Sequence, residues 1–199
     1  MPPRLRVGWW SHMSVVRFTS DLHLGHKKVA GLRGFTSVAA HDEALLSNWR
    51  EVVAPEDIVW VLGDLCMGNP TAALAALKTL PGRKRLILGN HDAGHPHNRN
   101  AHRWASPYAG VFEHVAASAR TRIQGVEVLL SHFPYERDRG PARYLQWRLP
   151  DYGVSLLHGH THGTERRSTS LSGTTELHVG LDAWDLTPVT DRTLLGMLP

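Results

Sequence analysis

Five short segments of this 199-residue chain gather carboxylate, imidazole and amide side chains where apolar runs end. They are Asp21-Leu22-His23, Gly63-Asp64, Gly89-Asn90-His91-Asp92, Ser131-His132 and Gly159-His160-Thr161-His162. The third is the densest, with a glycine, a neutral oxygen ligand, an imidazole and a carboxylate in a row. In open α/β sheets, ligands sit in the loops just past the carboxyl ends of strands. The donor set mixes imidazole nitrogen with carboxylate and amide oxygen and contains no thiolate. That suits Mn, Fe or Zn over Cu(I) or an iron–sulfur cluster. There are too many donors for one tetrahedral zinc, which takes about four, so two ions with one shared carboxylate fit better. Asp21/His23 and His160/His162 are each two residues apart. That spacing aims both side chains of a pair to one side if the backbone stays extended past its strand.

The elements that must position these residues follow from periodicity. Val15–Thr19, Ile58–Leu62, Leu86–Leu88, Val126–Leu130 and Val154–Leu157 are short apolar runs that read as buried strands. A stripe of Ala44, Leu45, Trp49, Val52 and Val53 predicts a helix over Val38–Val53, ended by Pro55. Asn69-Pro70 reads as an N-cap with proline at the first helical position, opening a helix that Pro81-Gly82 stops. Val111–Val115, Arg120–Ile123, Glu176–Leu181 and Thr193–Leu198 are further expected strands. Residues 93–107 and 136–150 read as two polar loops.

Each candidate also has a plainer reading. Asp92 suits a helix cap, and His26 a loop-packing residue. His95, His97 and His102 suit ordinary surface histidines, although His26, His95 and His97 are also candidates for contact with substrate. His158 suits a brace for the turn after its strand, and His178 a sheet residue. Tyr144 and Trp147 could stack on a base or simply pack a long loop.

Composition narrows the classes. The length suits one domain with a proper core, read here as residues 15–199 behind a flexible leader over residues 1–14. Within the leader lie Trp9-Trp10, and Met13 competes with Met1 as the start. The leader has no apolar stretch of signal-peptide type, and no run approaches the roughly 18–20 apolar residues of a membrane span. A single cysteine, Cys66, rules out an intrachain disulfide or a cysteine zinc site and fits a reducing cytoplasm. Histidine is abundant, at 14 residues. A net charge of +4 favours anionic partners. No basic stripe or helix-turn-helix points to a stable nucleic-acid complex, and no membrane partner is expected.

Taken in order, Asp21-x-His23, Gly63-Asp64, Gly89-Asn90-His91-Asp92, His132 and Gly159-His160-x-His162 resemble the calcineurin-like metallophosphoesterase superfamily. The segments Thr19–His26 and Val179–Trp184 are similar to its small single-domain bacterial and phage branch. The resemblance implies an α/β fold, a four-layer αββα sandwich of two mixed β-sheets flanked by helices, with a dinuclear metal site at the strand ends. It implies that Asp21, His23 and His162 hold one ion, that Asn90, His132 and His160 hold the other, and that Asp64 bridges them. The ions are expected to be divalent, Mn²⁺ first, with Fe, Zn, Ni or Co as alternatives. A bridging hydroxide would attack phosphorus, His91 would protonate the leaving oxygen, and Asp92 would orient His91. The substrates expected from this are small phosphodiesters such as 2′,3′-cyclic nucleotides. A phosphomonoesterase, a nuclease and a non-catalytic scaffold are the alternatives.

Overall fold

The computed structural model describes residues 14–136, 138 and 143–199. Most of the expected leader, with its tryptophan pair and the choice of start, lies outside the described residues.

The first sheet is built from β1 (Val16–Thr19), β2 (Ile58–Val61), β3 (Arg83–Ile87), β4 (His114–Ala116) and β10 (Val189–Thr190), in the order β10-β1-β2-β3-β4. β1 to β4 are parallel, and β10 joins the edge antiparallel. The second sheet, β5-β6-β7-β9-β8, comprises β5 (Ser118–Ile123), β6 (Val126–Ser131), β7 (Leu156–His158), β9 (Thr175–His178) and β8 (Arg167–Thr169). β6, β7 and β9 are parallel, and β5 and β8 flank them antiparallel. Both sheets are mixed and helices flank them.

Phe18, Trp60, Leu62 and Ile87 of the first sheet pack against Ile123, Val128, Leu130, Leu157 and Leu177 of the second. The opposite face of the first sheet carries Val59, Val61 and Leu86. They meet Leu45 and Trp49 of α2 (Val38–Val52) and Leu74 and Leu77 of α3 (Pro70–Lys78). α2 forms because His41, Leu45 and Trp49 recur every four residues on its buried side, and the Ser37 hydroxyl accepts the N–H of Ala40. α3 opens as its sequence demands, with Asn69 Oδ1 accepting from the Ala72 N–H and Pro70 at its start.

The result that matters for function is parallelism. β1, β2 and β3 all end at one edge of the first sheet, and β6 and β7 end at the matching edge of the second. Every candidate segment leaves one of those five strands.

Several elements differ from expectation. Residues 193–198 are not a strand. α5 (Asp191–Leu195) occupies that region, with Thr190 Oγ1 accepting the Thr193 N–H as its cap. The polar stretch 93–107 is only partly a loop, because a 3-10 turn at Ala101–Trp104 runs into α4 (Ala105–Ala109). α1 (Lys27–Leu32) and β8 were not anticipated. α1 escapes a periodicity reading because it is six residues long and capped by His26, whose Nδ1 accepts the Val29 N–H at 3.2 Å. Among the described residues no helix is long and apolar enough to cross a membrane.

Candidate metal centre

The five segments converge. Asp21, His23 and His162 place one ligand atom each within 4.8 Å of one another, and so do Asp21, Asp64 and His132. Asp64 lies between the groups. Its Oδ2 is 3.4 Å from His132 Nε2, 3.6 Å from His23 Nε2 and 3.9 Å from His91 Nε2. Its Oδ1 accepts the His91 N–H at 2.8 Å.

The backbone that achieves this is not extended. Asp21, His23, Asp64, His160 and His162 all adopt left-handed conformations, with φ of 59°, 50°, 56°, 69° and 50°. Left-handed backbone costs an L-residue about 1–2 kcal/mol, and such outliers cluster at functional sites. Side chains two apart therefore meet because the chain curls tightly after each strand, not because strand geometry persists. Backbone bonds hold the curls: Asp21 N–H donates to Gly63 O and His23 N–H to Asp64 O. The three motif glycines, Gly63, Gly89 and Gly159, are required by close approach. A Cβ on Gly159 would lie 2.5 Å from Asp21 Oδ2, and one on Gly89 would lie 2.6 Å from the Asp64 nitrogen.

The donor set fits divalent cations. His132 donates from Nδ1 to Leu62 O at 2.7 Å, which leaves Nε2 facing the carboxylates. That Nε2 and Asn90 Oδ1 are buried without a hydrogen-bond partner among the described residues. Buried polar atoms without a hydrogen bond are costly unless something satisfies them. His162 Nδ1 lies 3.0 Å from Asp182 Oδ2. Because a carboxylate only accepts, the neutral ring then carries its lone pair on Nε2, 3.1 Å from His23 Nε2. Two imidazole nitrogens and several carboxylate oxygens aimed at one point make a cation cradle.

Electrostatics agree. Burial pushes the Asp21 and Asp64 carboxyls up, but the surrounding imidazoles outweigh it and hold both below the usual carboxylate range. Burial would lower His132, but Asp64 and Asp21 raise it to about 9. Without metal, Asp64 and His132 thus form an ion pair, and binding a cation there releases a proton. Burial lowers His23 to about 3 and His160 to about 4, keeping both imidazoles neutral and able to ligate.

The remaining candidates divide. His91 stands at the rim with its side chain 37% exposed. His26 and His91 line one cavity beside the cluster. His95 does not. It is buried against the rings of Phe133 and Trp147, and its Nδ1 lies 2.9 Å from His97 Nδ1. His97 faces His95 and Tyr144 and does not line that cavity either. His158 braces the turn, its Nδ1 2.9 Å from Gly159 O.

Asp92 takes neither expected role. Its carboxylate accepts the N–H groups of Gly89, Leu65 and Asp64 at 2.7, 3.0 and 3.1 Å. It therefore fastens the loop after β3 to the loop after β2 instead of holding the His91 ring, and no described helix starts there. Burial and the Asp64 charge raise its carboxyl to about 7.

Two pairs went unrecognised in the sequence. Asp182 binds Arg33 through both oxygens, at 2.8 and 2.9 Å, while it holds His162. Asp138 binds Arg148 at 2.6 Å and faces His160 Nε2 at 3.2 Å. The only sequence signal was that Asp182 sits in the late segment Val179–Trp184.

Two mixed sheets with a carboxylate–imidazole cluster at their shared edge make a fold with a candidate cation site. Residues 15–164 match the calcineurin-like phosphoesterase family, and the chain belongs to it. Members of this family generally hydrolyse phosphoesters with divalent metals. The gene 66 protein of Mycobacterium phage D29 is 49% identical over 90% of this chain and 94% of its own. The gene 66 protein of phage L5 is 46% identical over 86% and 88%. The crystal structure of a protein of unknown function from Aquifex aeolicus shares the fold, with a TM-score of 0.68 and 23% identity over 94% of this chain and all of its own.

Proposed function

We propose that this protein hydrolyses phosphodiesters, with small or cyclic nucleotides such as 2′,3′-cyclic nucleotides as substrates. Asp21, His23 and His162 would hold one ion and Asn90, His132 and His160 the other, with Asp64 shared. Divalent ions, Mn²⁺ first, would supply Lewis acidity toward phosphate oxygens and a water of lowered pKa.

The position of His91 supports a proton donor for an alkoxide leaving group, which a diester needs and a monoester tolerates. A diester's leaving alkoxide needs a proton, whereas an activated aryl leaving group does not. His91 offers a ring at the rim, and its backbone N–H is fixed on Asp64 Oδ1. Beside it opens a cavity of about 650 Å³, a size typical of small-ligand sites. Val29, Leu32 and Leu186 form an apolar wall there, and Lys28 and His26 add polar and cationic groups. Leu32 is 78% exposed, so the wall has apolar surface to offer a nucleoside. A cytoplasmic setting accords with Cys66, whose buried thiol is pushed up to about 12 and is unreactive.

The test uses metal-stripped protein re-supplied with Mn²⁺. Bis-p-nitrophenyl phosphate and 2′,3′-cyclic AMP are set against p-nitrophenyl phosphate, with Asp64→Ala as control. Turnover of the diesters that vanishes in the control is expected. His91→Ala is expected to lower turnover of the cyclic nucleotide by about 10²–10⁴-fold and that of the aryl diester much less. Equal losses on both would refute the proton-donor role. Preference for the monoester would overturn the substrate class.

A further inference from the structure

A second cleft, of about 550 Å³, opens at the lateral edge of the sandwich, where β4 of the first sheet passes into β5 of the second. None of the residues that line it is a candidate metal ligand. Arg85 lies five positions before Asn90 along the chain, roughly 15 Å away at about 3.3 Å per extended residue.

Three side chains form a row across the parallel strands of this edge. Trp60 of β2 pairs in register with Arg85 of β3, and Arg85 with His114 of β4. The Arg85 guanidinium lies over the Trp60 ring, 5.2 Å from its centre, and the His114 ring meets the same indole edge-on at 5.7 Å and 74°. Trp60 is buried between the sheets, and Arg85 is half-buried above it. The one carboxylate lining the cleft, Glu113, is taken by Arg83, whose Nε donates to its Oε1 at 2.8 Å. The Arg85 charge reaches Glu113 without a contact and adds to Arg83 in holding that carboxyl down. Arg120, whose side chain is 69% exposed, leans on Glu127 at 3.6 Å. Arg85 itself has neither a hydrogen-bond acceptor nor an ion-pair partner among the described residues, and its guanidinium rests on the indole alone.

A half-buried guanidinium gives up part of its hydration, and here no neighbour replaces it. Stacking on an aromatic ring fixes the plane of its donor fork, so little freedom is left to lose when it grips an anion by two bonds. We propose that this cleft is a second anion site, independent of metal, that binds a phosphate group, free or carried by a small organic phosphate, on the fork of Arg85. The surroundings favour phosphate over carboxylate. Arg120 and the hydroxyls of Ser118 and Thr121 line the same cleft. Together with Arg85 they offer more donors than the two oxygens of a carboxylate can use, whereas a phosphate monoester presents three acceptor oxygens.

The test follows the Arg85 side chain. Its Nε–H signal in ¹⁵N-labelled protein, assigned by its loss in Arg85→Gln, is monitored by ¹H–¹⁵N correlation as inorganic phosphate, adenosine 5′-monophosphate or acetate is added. Each titration is run on metal-stripped protein and again after Mn²⁺ is restored, which separates this cleft from the metal centre. With metal-stripped protein, saturable shifts are expected for phosphate and the nucleotide, and a weaker response for acetate. A tighter fit for the nucleotide would assign an organic phosphate, and equal affinities would assign the free ion. Arg85→Gln is expected to weaken phosphate binding, read by calorimetry, by about 10–100-fold. Arg120→Gln, at an exposed position, is expected to weaken it by less. Circular-dichroism melting of both variants should match wild type, because neither change empties the core. The absence of a saturable shift in metal-stripped wild type overturns the proposal. So does binding that appears only with Mn²⁺, or binding that Arg85→Gln leaves unchanged. Acetate held as tightly as phosphate overturns the assignment of phosphate as the ligand.

Discussion

Removing the Asp182 carboxylate tests how firmly the first half of the centre is built. Asp182 meets Arg33 in a two-pronged pair and holds His162 at 3.0 Å, and the Arg33 side chain is only 4% exposed. Deleting one partner of a buried ion pair costs about 3–5 kcal/mol. Asp182 is itself 16% exposed, and Arg33 keeps its bonds to Asp21 O and Leu22 O. The lower end, about 3 kcal/mol, is therefore the expected loss for Asp182→Ala. At about 2–4 °C per kcal/mol for a chain of this size, the metal-free protein should melt about 6–12 °C lower. Asp182→Asn keeps one acceptor oxygen and should lose roughly half as much. Scanning calorimetry in EDTA reads the stability, and Mn²⁺ titration reads the loosened His162 as about 10–100-fold weaker binding at one step. An Asp182→Ala protein that melts within about 1 °C of wild type and binds metal unchanged would refute the reasoning.

Two further outcomes follow from other parts of the site. Burial holds His23 and His158 down to about 3 and His95 and His160 to about 4. The unfolded chain therefore binds more protons between about pH 6.5 and 3, and the stability present above that window is lost on acidification. His132, raised to about 9, runs the other way. Its contribution is full below about pH 6.5 and fades as the pH rises through 9. Asp92, raised to about 7, adds a comparable loss as the pH rises from about 4 to 7, which the four imidazoles together outweigh. Melting of the EDTA-treated protein across pH 4–9.5 should peak close to pH 6.5–7, and a flat profile would contradict the buried neutral imidazoles. Gly159→Ala should cost at least about 1–3 kcal/mol, because its Cβ would press on Ser20 and Asp21. Gly31→Ala on α1, where nothing lies within 4 Å of the new methyl, should gain up to about 1 kcal/mol. Urea denaturation of both variants measures the contrast.

What was legible in the sequence was the repetition, because one Asp or His after a strand suits a turn or a cap, whereas five strand ends finishing in such donors point to a shared cation site. Ile58–Leu62 and Leu86–Leu88 announce strands, and the donors Asp64 and Asn90 follow them at the same edge of the first sheet. Backbone shape was not legible. Nothing in Asp21-Leu22-His23 says that both polar residues turn left-handed, because that follows from Gly63 O and Asp64 O, contributed by a neighbouring strand. Asp138 and Asp182 were hidden for a similar reason. Each lies beside a histidine 20 or more positions away, and only the fold brings them together. Asp92 was misread because proximity to His91 in sequence suggested a contact that three backbone N–H groups had already taken. The α5 region looked like a strand because Leu194 and Leu195 dominate a short window, although Thr190-Asp191 carried a cap signal.

The convergence of the two sheet edges also has a mechanical meaning. Asp21, His23, Asp64 and Asn90 belong to the first sheet, and His132, His160 and His162 belong to the second. His23 and His162, whose ring nitrogens meet, are 139 positions apart in the chain. An ion gripping both would close a loop that covers most of the protein, in a chain whose one cysteine allows no intrachain disulfide. In a covalent cross-link, closing a loop of about 100 residues is worth roughly 5 kcal/mol of chain entropy. The metal centre would then be the staple of the sandwich as well as its reactive point, and a chelator would loosen the halves in the same act that silences the chemistry.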